Sequence, residues 1–530
     1  MPKQRPDYFL ILTSPANRNE GNRQYCFSDA KENFQSMGLF TEEEILKATG
    51  GIRIGDPAQD QYDMRIAGSV STDTRSLEQG ALFAALIGER FDGHTFCQAA
   101  FEKGASLFLI SDEHMLPGGA AGILVPDTLV ALHSLARAYR RKLACKVIAV
   151  TGSVGKTSTR EMLYAALSGS LRTHATMHNL NNEIGLPLTI LSAPAGTQLL
   201  IVEMGMRMRG EIRTLTRIAE PDIAVVTNVG VSHIERLGSQ EEILLAKMEV
   251  CEGLTGEKIL LVNGEDRFLT EYIQNPQAKN WNKLGITTLC SASEDLQFAD
   301  MTVNVTSMST SESRTRFSVV LRDGINTPAS DLGEFVLPLV GAHHVKNALF
   351  SICCAMYLGV SMENVKKGLL SYIPTGSRGR IIQTSNYLLY DDAYNASPES
   401  MAAAFESVRL IAAGRRKIAA IGGILELGSF ASDLHFKVGK SAAESGMDML
   451  FVCGEHREDV KSGAVSVLPG MPVLLFETRE ELTGVLLKML RKDDVILIKA
   501  SHAFEMEKVT QAIIESENAY SVPPVKEAGS

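Results

Sequence analysis

Short aliphatic, β-branched runs recur along this chain with helix-length segments between them, and that alternation restricts the possible folds more than any other feature. In the middle of the chain the runs are Val147-Ile-Ala-Val150, Leu199-Leu-Ile-Val202, Ile223-Ala-Val-Val226 and Lys258-Ile-Leu-Leu-Val262, with helical stretches near 156–168, 208–218 and 240–254 between them. The rhythm predicts an open, mostly parallel α/β sheet. Two earlier runs, Ala105–Ile110 and Gly122–Val125, read as strands of a smaller unit. A later series, Leu388–Tyr390, Lys417–Ile421, Met449–Val452 and Val495–Ile498, repeats the pattern. The stretch 300–338 reads as an antiparallel insert.

A chain of 530 residues is too long for one core and suits three domains. Expected boundaries lie near 143 and near 376, the second marked by Pro374-Thr-Gly-Ser377. Residues 1–36 are polar and irregular and read as a loosely ordered extension. Thr41 with Glu44 three residues on reads as a helix start, so the ordered fold is expected to begin near Met37. The expected division is therefore 1–36, 37–143, 144–376 and 377–530.

Composition narrows the function. Hydrophobic residues are 45% and charged residues 22% of the chain, a soluble globular balance. A net charge of −10 without a long basic run argues against nucleic acid and for small anionic ligands held locally. The longest early apolar run, Tyr8–Leu12, is too short for a signal or membrane segment, so no membrane insertion is expected. The eight cysteines show no C-x-x-C spacing, which fits a reducing, cytoplasmic setting and suggests neither zinc nor a disulfide framework.

The stretch KVIAVTGSVGKTSTREM, residues 146–162, carries the chemistry. It lacks the first glycine of the G-x-x-x-x-G-K-[ST] pattern, since Val150 stands there. Strand, turn and helix nevertheless follow one another. Gly152 and Gly155 free backbone N–H groups to face one hollow, the helix start adds its dipole, Lys156 a charge and Thr157 a hydroxyl for magnesium. Other polar groups follow later strands, where open α/β sheets bind ligands: Glu203, the stretch Asn228 to His233, and, on a helix, Lys247. Asn179-Leu-Asn-Asn-Glu-Ile-Gly185 is a polar patch that no core requires.

Taken in order, TGSVGKTS, NLNNEIGLPLTIL, VEMGMRMRGEI, TNVGVSHIERLGS, AKMEV, DDAYNASPESM and LELGS resemble the Mur ligase family over about residues 37 to 510. The family's own loop is T-G-x-x-G-K-[ST], so the missing glycine is expected. The resemblance implies three α/β domains: a smaller N-terminal UDP-sugar-binding domain, a central P-loop-type ATPase domain, and a Rossmann-like C-terminal acceptor domain. It implies ATP and two magnesium ions as cofactors. A UDP-muramoyl peptide would give its carboxylate to the γ-phosphate, and an amine would displace phosphate from the acyl phosphate. Absence of the D-N-P-R signature of diaminopimelate-adding members favours the dipeptide D-Ala-D-Ala as that amine.

The resemblance also implies residue roles. Thr151, Gly152, Ser153, Val154, Gly155, Lys156, Thr157 and Ser158 would contact ATP, with Asn263, Asp266 and Asn347 further along. Thr157 and Glu203 would hold one magnesium. His233 and a carbamylated Lys247 would hold the second. Arg380 matches an arginine that reaches the γ-phosphate on domain closure. Lys156, Lys247, His233 and Arg380 form the implied catalytic set. Ser71, Asp73, Arg75, Arg90, Asp92 and His94, more polar groups than turns need, would read the UDP-sugar together with Asn181 and Asn182. Asp392, Tyr394 and Asn395 would orient the acceptor or line the ATP edge.

The chain departs from the family pattern in four places. His344 replaces an asparagine, Glu265 an aspartate and Gly423 an aspartate, and Lys499-Ala-Ser-His502 stands for K-G-S-R. A monomer is expected. The alternatives are a folylpolyglutamate-type or diaminopimelate- or lysine-adding ligase of the same superfamily, and a nucleotide-binding paralogue that has lost catalysis.

Overall fold

The structure, a computed structural model, describes residues 39–55, 66–89, 91–275, 286–291, 301–311, 313–323 and 328–521. The expected extension over 1–36, and Arg90, lie outside the described residues. At the start of the described chain Thr41 caps helix Glu42–Thr49 through a capping box with Glu44, and Gly50 ends it in the left-handed region.

Three large sheets carry the fold. The first has the order Ile52–Ile54, Gly122–Leu124, Leu107–Ile110, Leu82–Ala84, Val70–Ser71, parallel except at its first pair. The central sheet has nine strands. Third in order is β1 (Lys146–Thr151), flanked in parallel by β2 (Leu199–Glu203), beyond which lies the edge strand Thr173–Ala175, and by β3 (Ile223–Val226). Beyond β3 lie Ile259–Asn263, Ile286–Ser291 and Met301–Thr310, all parallel, then Thr315–Asp323 and Ser330–Leu337, antiparallel. The antiparallel stretch expected as an insert is thus the far end of the central sheet, joined to it through Met301–Thr310.

The third sheet runs Arg380–Gln383, Leu388–Asp391, Val495–Lys499, Lys417–Ile421, Met449–Cys453, Val473–Phe476, parallel after its first pair. Among the described residues no helix is long and apolar enough to cross a membrane.

The order of the central sheet decides where a ligand can sit. From β1 the chain crosses to strands on one side, then returns past β1 to β3 on the other. Connections therefore diverge at the carboxyl end of β1 and leave a crevice there, bordered by the ends of β2 and β3. Apart from Lys146 at the start of β1, all three strands are buried throughout, so the crevice floor is rigid. The helices of this domain include α1 (Lys156–Leu167), α2 (Gln240–Met248), α3 (Ala342–Tyr357) and α4 (Met362–Leu370).

Candidate functional site

After Thr151 the backbone turns through Gly152, φ +147°, where a Cβ would stand 1.9 Å from Thr227 Oγ1. Gly155, φ +85°, is similarly hemmed, with Asn347 Oδ1 2.9 Å from a would-be Cβ. Neither position accepts a side chain. The turn is held from the neighbouring strand end: Thr227 Oγ1 donates to the Val154 carbonyl at 2.6 Å, and Asn228 Oδ1 accepts from Ser153 N and Val154 N at 3.0 and 2.9 Å. No side chain caps α1 behind Gly155. The first N–H groups of that helix, from Lys156, Thr157 and Ser158, are left for an anion.

Lys156 folds over its own loop, its Nζ donating to Gly152 O at 2.7 Å and Ser153 O at 3.2 Å. Burial lowers its pKa, Glu203 opposes that shift, and Arg378 adds to it. Glu203 ends β2 at 2% exposure, accepting from Asn181 Nδ2 at 2.9 Å and Arg160 Nη1 at 3.4 Å. Thr157 is buried and lines the same cleft.

Lys247, on α2, is among the largest fully buried side chains, at 1% exposure. Burial pushes its ammonium well below the usual lysine range. Lys156 adds to this and Asp266 opposes it. A buried lysine is expensive unless something uses it. His233 has a left-handed backbone, and its Nδ1 lies 2.5 Å from Glu426 Oε2, at ion-pair distance but off hydrogen-bond alignment. Burial is the main cause of its lowered pKa.

The opposite wall belongs to the third sheet. Lys499, 2% exposed, donates to Asp392 Oδ2 at 2.6 Å and to the Asn395 carbonyl at 2.8 Å, pinning the loop after Leu388–Asp391. The Arg378 guanidinium lies 3.6 Å above the Tyr394 ring, whose other neighbour is His502 at 5.3 Å. Glu399 Oε1 accepts from Val231 N at 3.0 Å, so the third unit grips the loop after β3. Between the walls lies a cleft of about 1010 Å³ lined by Ser153 to Ser158, Asn181, Asn182, Glu203, His233, Asn263, Asn347, Arg378, Asp392, Tyr394, Asn395 and Lys499.

Three models of one family match in order: the Mur ligase family catalytic domain over 67–140, the Mur ligase middle domain over 150–355, and the Mur ligase glutamate ligase domain over 377–502. The UDP-N-acetylmuramoyl-tripeptide–D-alanyl-D-alanine ligase of Bacillus subtilis is 38% identical over 87% of this chain and 96% of its own. The chain belongs to the Mur ligase family. Among solved structures, MurF from Acinetobacter baumannii superposes with a TM-score of 0.77 at 29% identity, covering 90% of this chain and 99% of that one. The MurF ligase from Thermotoga maritima in complex with ADP gives 0.73 at 26% identity, over 86% and 98%. The fold is therefore the three-domain α/β fold of the Mur ligases, and the central domain is of a nucleotide-binding kind.

Several residues of this Mur ligase fall elsewhere than the sequence suggests. Arg380 is exposed at the start of its strand and does not line the cleft. Arg378, two residues earlier, does. Left-handed Gly379 sits between them and bends the chain where the strand Arg380–Gln383 begins. Asp266 is not in the lining either. Its carboxylate accepts from Val229 N at 2.7 Å and caps the helix Arg267–Gln274. Asn263 does reach the cleft, while Glu265 pairs with Lys346.

In the first domain His94 is buried. Its Nδ1 meets Asp92 Oδ1 at 2.6 Å, and its Nε2 accepts from Ser111 N at 2.9 Å, which staples two segments together. Asp73 and Arg75 pair with each other, the guanidinium pulling the carboxyl down to about 2, and Ser71 Oγ accepts from Asp73 N. None of Ser71, Asp73, Arg75, Asp92 and His94 lines the cleft. Asn181 and Asn182 do, although Asn182 also starts the helix Gly185–Leu191 by accepting from Gly185 N at 2.8 Å.

The residues that sequence reasoning passed over are Arg378, Arg160, Glu161, Glu399 and His343. His344, the substituted asparagine, is buried with neither ring nitrogen bonded. The uncapped start of α1 and the two glycine positions fit a polyphosphate. For a cation the donors are oxygens, Thr157 Oγ1 and the Glu203 carboxylate. No three His, Cys, Asp or Glu side chains converge among the described residues. The two oxygen donors fit magnesium, which keeps waters and phosphate oxygens as ligands and needs few from protein. His233, facing Glu426, fits it less well.

Proposed function

We propose that this chain joins D-Ala-D-Ala to the carboxylate of a UDP-N-acetylmuramoyl-tripeptide, using ATP, in the synthesis of peptidoglycan precursors. One observation carries the reading: a phosphate cradle formed by α1, Lys156 and Glu203 faces a wall from another domain carrying Arg378, Asp392 and Lys499. Activation and attack are thus drawn from two sides of one cleft. The similarity to ligases of that name over nearly the whole chain favours this acceptor over other amines.

In this reading the α1 amides and Lys156 hold the β- and γ-phosphates, and Arg378 offsets the charge that develops as phosphate passes to the carboxylate. Magnesium, held by Thr157 and Glu203, would neutralise phosphate oxygens. Asp392, Tyr394 and Asn395, with Lys499 fixing Asp392, form the side from which the amine approaches. Lys247 fits carbamylation: burial favours the neutral amine, which adds carbon dioxide with loss of one proton and becomes an anionic oxygen donor for a second cation. Lys247→Ala should lose turnover while still binding ADP, and a short carboxylic acid should restore part of it. A monomer acting in the cytoplasm, where ATP is supplied, completes the reading.

The deciding assay supplies ATP, magnesium, D-Ala-D-Ala and UDP-muramoyl tripeptides carrying either lysine or diaminopimelate, and follows phosphate release and product mass. Phosphate release dependent on D-Ala-D-Ala is expected, with a product heavier by the dipeptide less water. Binding of ADP without any phosphate release would sink the ligase reading and leave the nucleotide-binding paralogue.

A further inference from the structure

The helix α1 carries two groups of polar residues one turn apart. Its first turn holds Lys156 and Thr157 at the phosphate end; the next holds Arg160 and Glu161. Arg160, 5% exposed, donates through Nη1 to the His178 carbonyl at 3.0 Å and to Glu203 Oε2 at 3.4 Å, and through Nη2 to Glu161 Oε1 at 3.1 Å.

Glu161 turns its carboxylate to the segment that leads into the third domain. Its Oε2 accepts from the Tyr372 hydroxyl at 3.1 Å and Thr375 N at 3.4 Å, and its Oε1 accepts from the Thr375 hydroxyl. Its other anchors stand at either end: Tyr372 packs into the central core at 4% exposure, and the Ser377 carbonyl accepts from Tyr394 N at 3.0 Å. Ile373 is 79% exposed, and Gly376 and Gly379 are both left-handed. Arg378 lies three residues beyond Thr375.

We propose that Glu161 is a positioning residue for the ligase reaction. It fixes the start of the interdomain linker so that Arg378 reaches the phosphate end of the cleft, and Arg160 ties that anchor to Glu203. The links from Glu203 through Arg160 and Glu161 to Thr375 form one continuous hydrogen-bonded path. The weak point is the 3.4 Å contact between Arg160 and Glu203. A ligand that draws on the Glu203 carboxylate weakens that link and leaves Arg160 more fully to Glu161, so filling the cleft firms the linker.

The test removes the linker side only, leaving α1 intact: Tyr372→Phe with Thr375→Val, with Thr375→Ser as the conservative control. Its kinetic part rests on the ligase reading above; ADP affinity and the small-angle scattering response to an ATP analogue with magnesium do not. Expected for the double variant are ADP affinity within about twofold of the wild type, kcat lower by about tenfold or more at nearly unchanged KM for ATP, and loss of the ligand-induced compaction expected of the wild type. Thr375→Ser should behave as the wild type.

Unchanged kcat and compaction would overturn the proposal. So would parallel loss of ADP affinity and kcat, which marks local damage, or a Thr375→Ser variant as impaired as the double one. A wild type that compacts on ligand but makes no product would defeat the ligase reading while leaving the anchor to be judged by scattering and affinity.

Discussion

Arg378 and Arg380 are separated by one glycine, and only the first faces the cleft. Arg378 is close enough to Lys156 to depress its pKa and is held over Tyr394. Arg378→Ala should therefore lower kcat by about 100-fold with a much smaller change in KM, the signature of a group felt mainly in the transition state. Arg380→Ala should stay within about twofold in steady-state kinetics. The paired histidines give a prediction in pH. Burial, then Lys499 and Lys346, push His343 down to about 4 from 6.5, and burial holds His344 well below its usual range. Between those values the unfolded chain binds protons that the folded one refuses, so stability rises with pH from about 4 to 6.5. His343→Gln should flatten the melting temperature against pH over that window and change it little above about pH 7.

At the scale of elements, the phosphate turn is rigid because the end of β3 holds it. The Thr227 hydroxyl and the Asn228 amide oxygen fix three backbone groups of the turn, and Gly152 leaves room for the first of them. Gly152→Ala combines a left-handed backbone with a 1.9 Å clash. A cost of about 1–3 kcal/mol in stability is expected, with at least about a tenfold loss of ADP affinity, measurable by denaturant unfolding and calorimetry. The turn itself was legible as strand, two glycines and a helix beginning with lysine. Its supports were not, because Thr227 and Asn228 lie more than 70 residues away and meet the turn only through sheet order. The antiparallel strands after Met301 read as a separate piece for another reason: local pattern gives strands, and only the pairing of Met301–Thr310 with Ile286–Ser291 joins them to the sheet.

At the scale of the molecule, the third unit touches the central one through polar contacts that include Glu399 to Val231 N at 3.0 Å, Glu426 beside His233, and Ser407 Oγ to the Val340 carbonyl at 3.3 Å. Such contacts suit units that part and rejoin. Glu399→Ala with Glu426→Ala should enlarge the radius of gyration without ligand and speed hydrogen exchange over 229–233, with the melting temperature of the central domain little changed. An unchanged radius would show that the two carboxylates do not hold the units together. The expected monomer is tested in the same scattering measurement.

The sequence by itself determined the mostly parallel α/β type of the central and third sheets, the phosphate turn and the order of motifs that marks a Mur ligase. Each of these depends on neighbours within a few residues: side-chain period, glycine freedom, a helix start. Tertiary structure alone decided which polar side chains share the cleft. Asp92 and His94 are plausible ligands by residue type, yet both ring nitrogens of His94 are engaged, one by Asp92 and the other by Ser111 N. Asp266 is another, and Val229 does the same for it. Arg378 lines the cleft and Arg380 does not, although a single glycine separates them, and Glu161 becomes an anchor only because Thr375 and Tyr372 close on it. A buried polar group binds whatever partner the fold brings within about 3 Å, and the order of residues along the chain does not specify that partner.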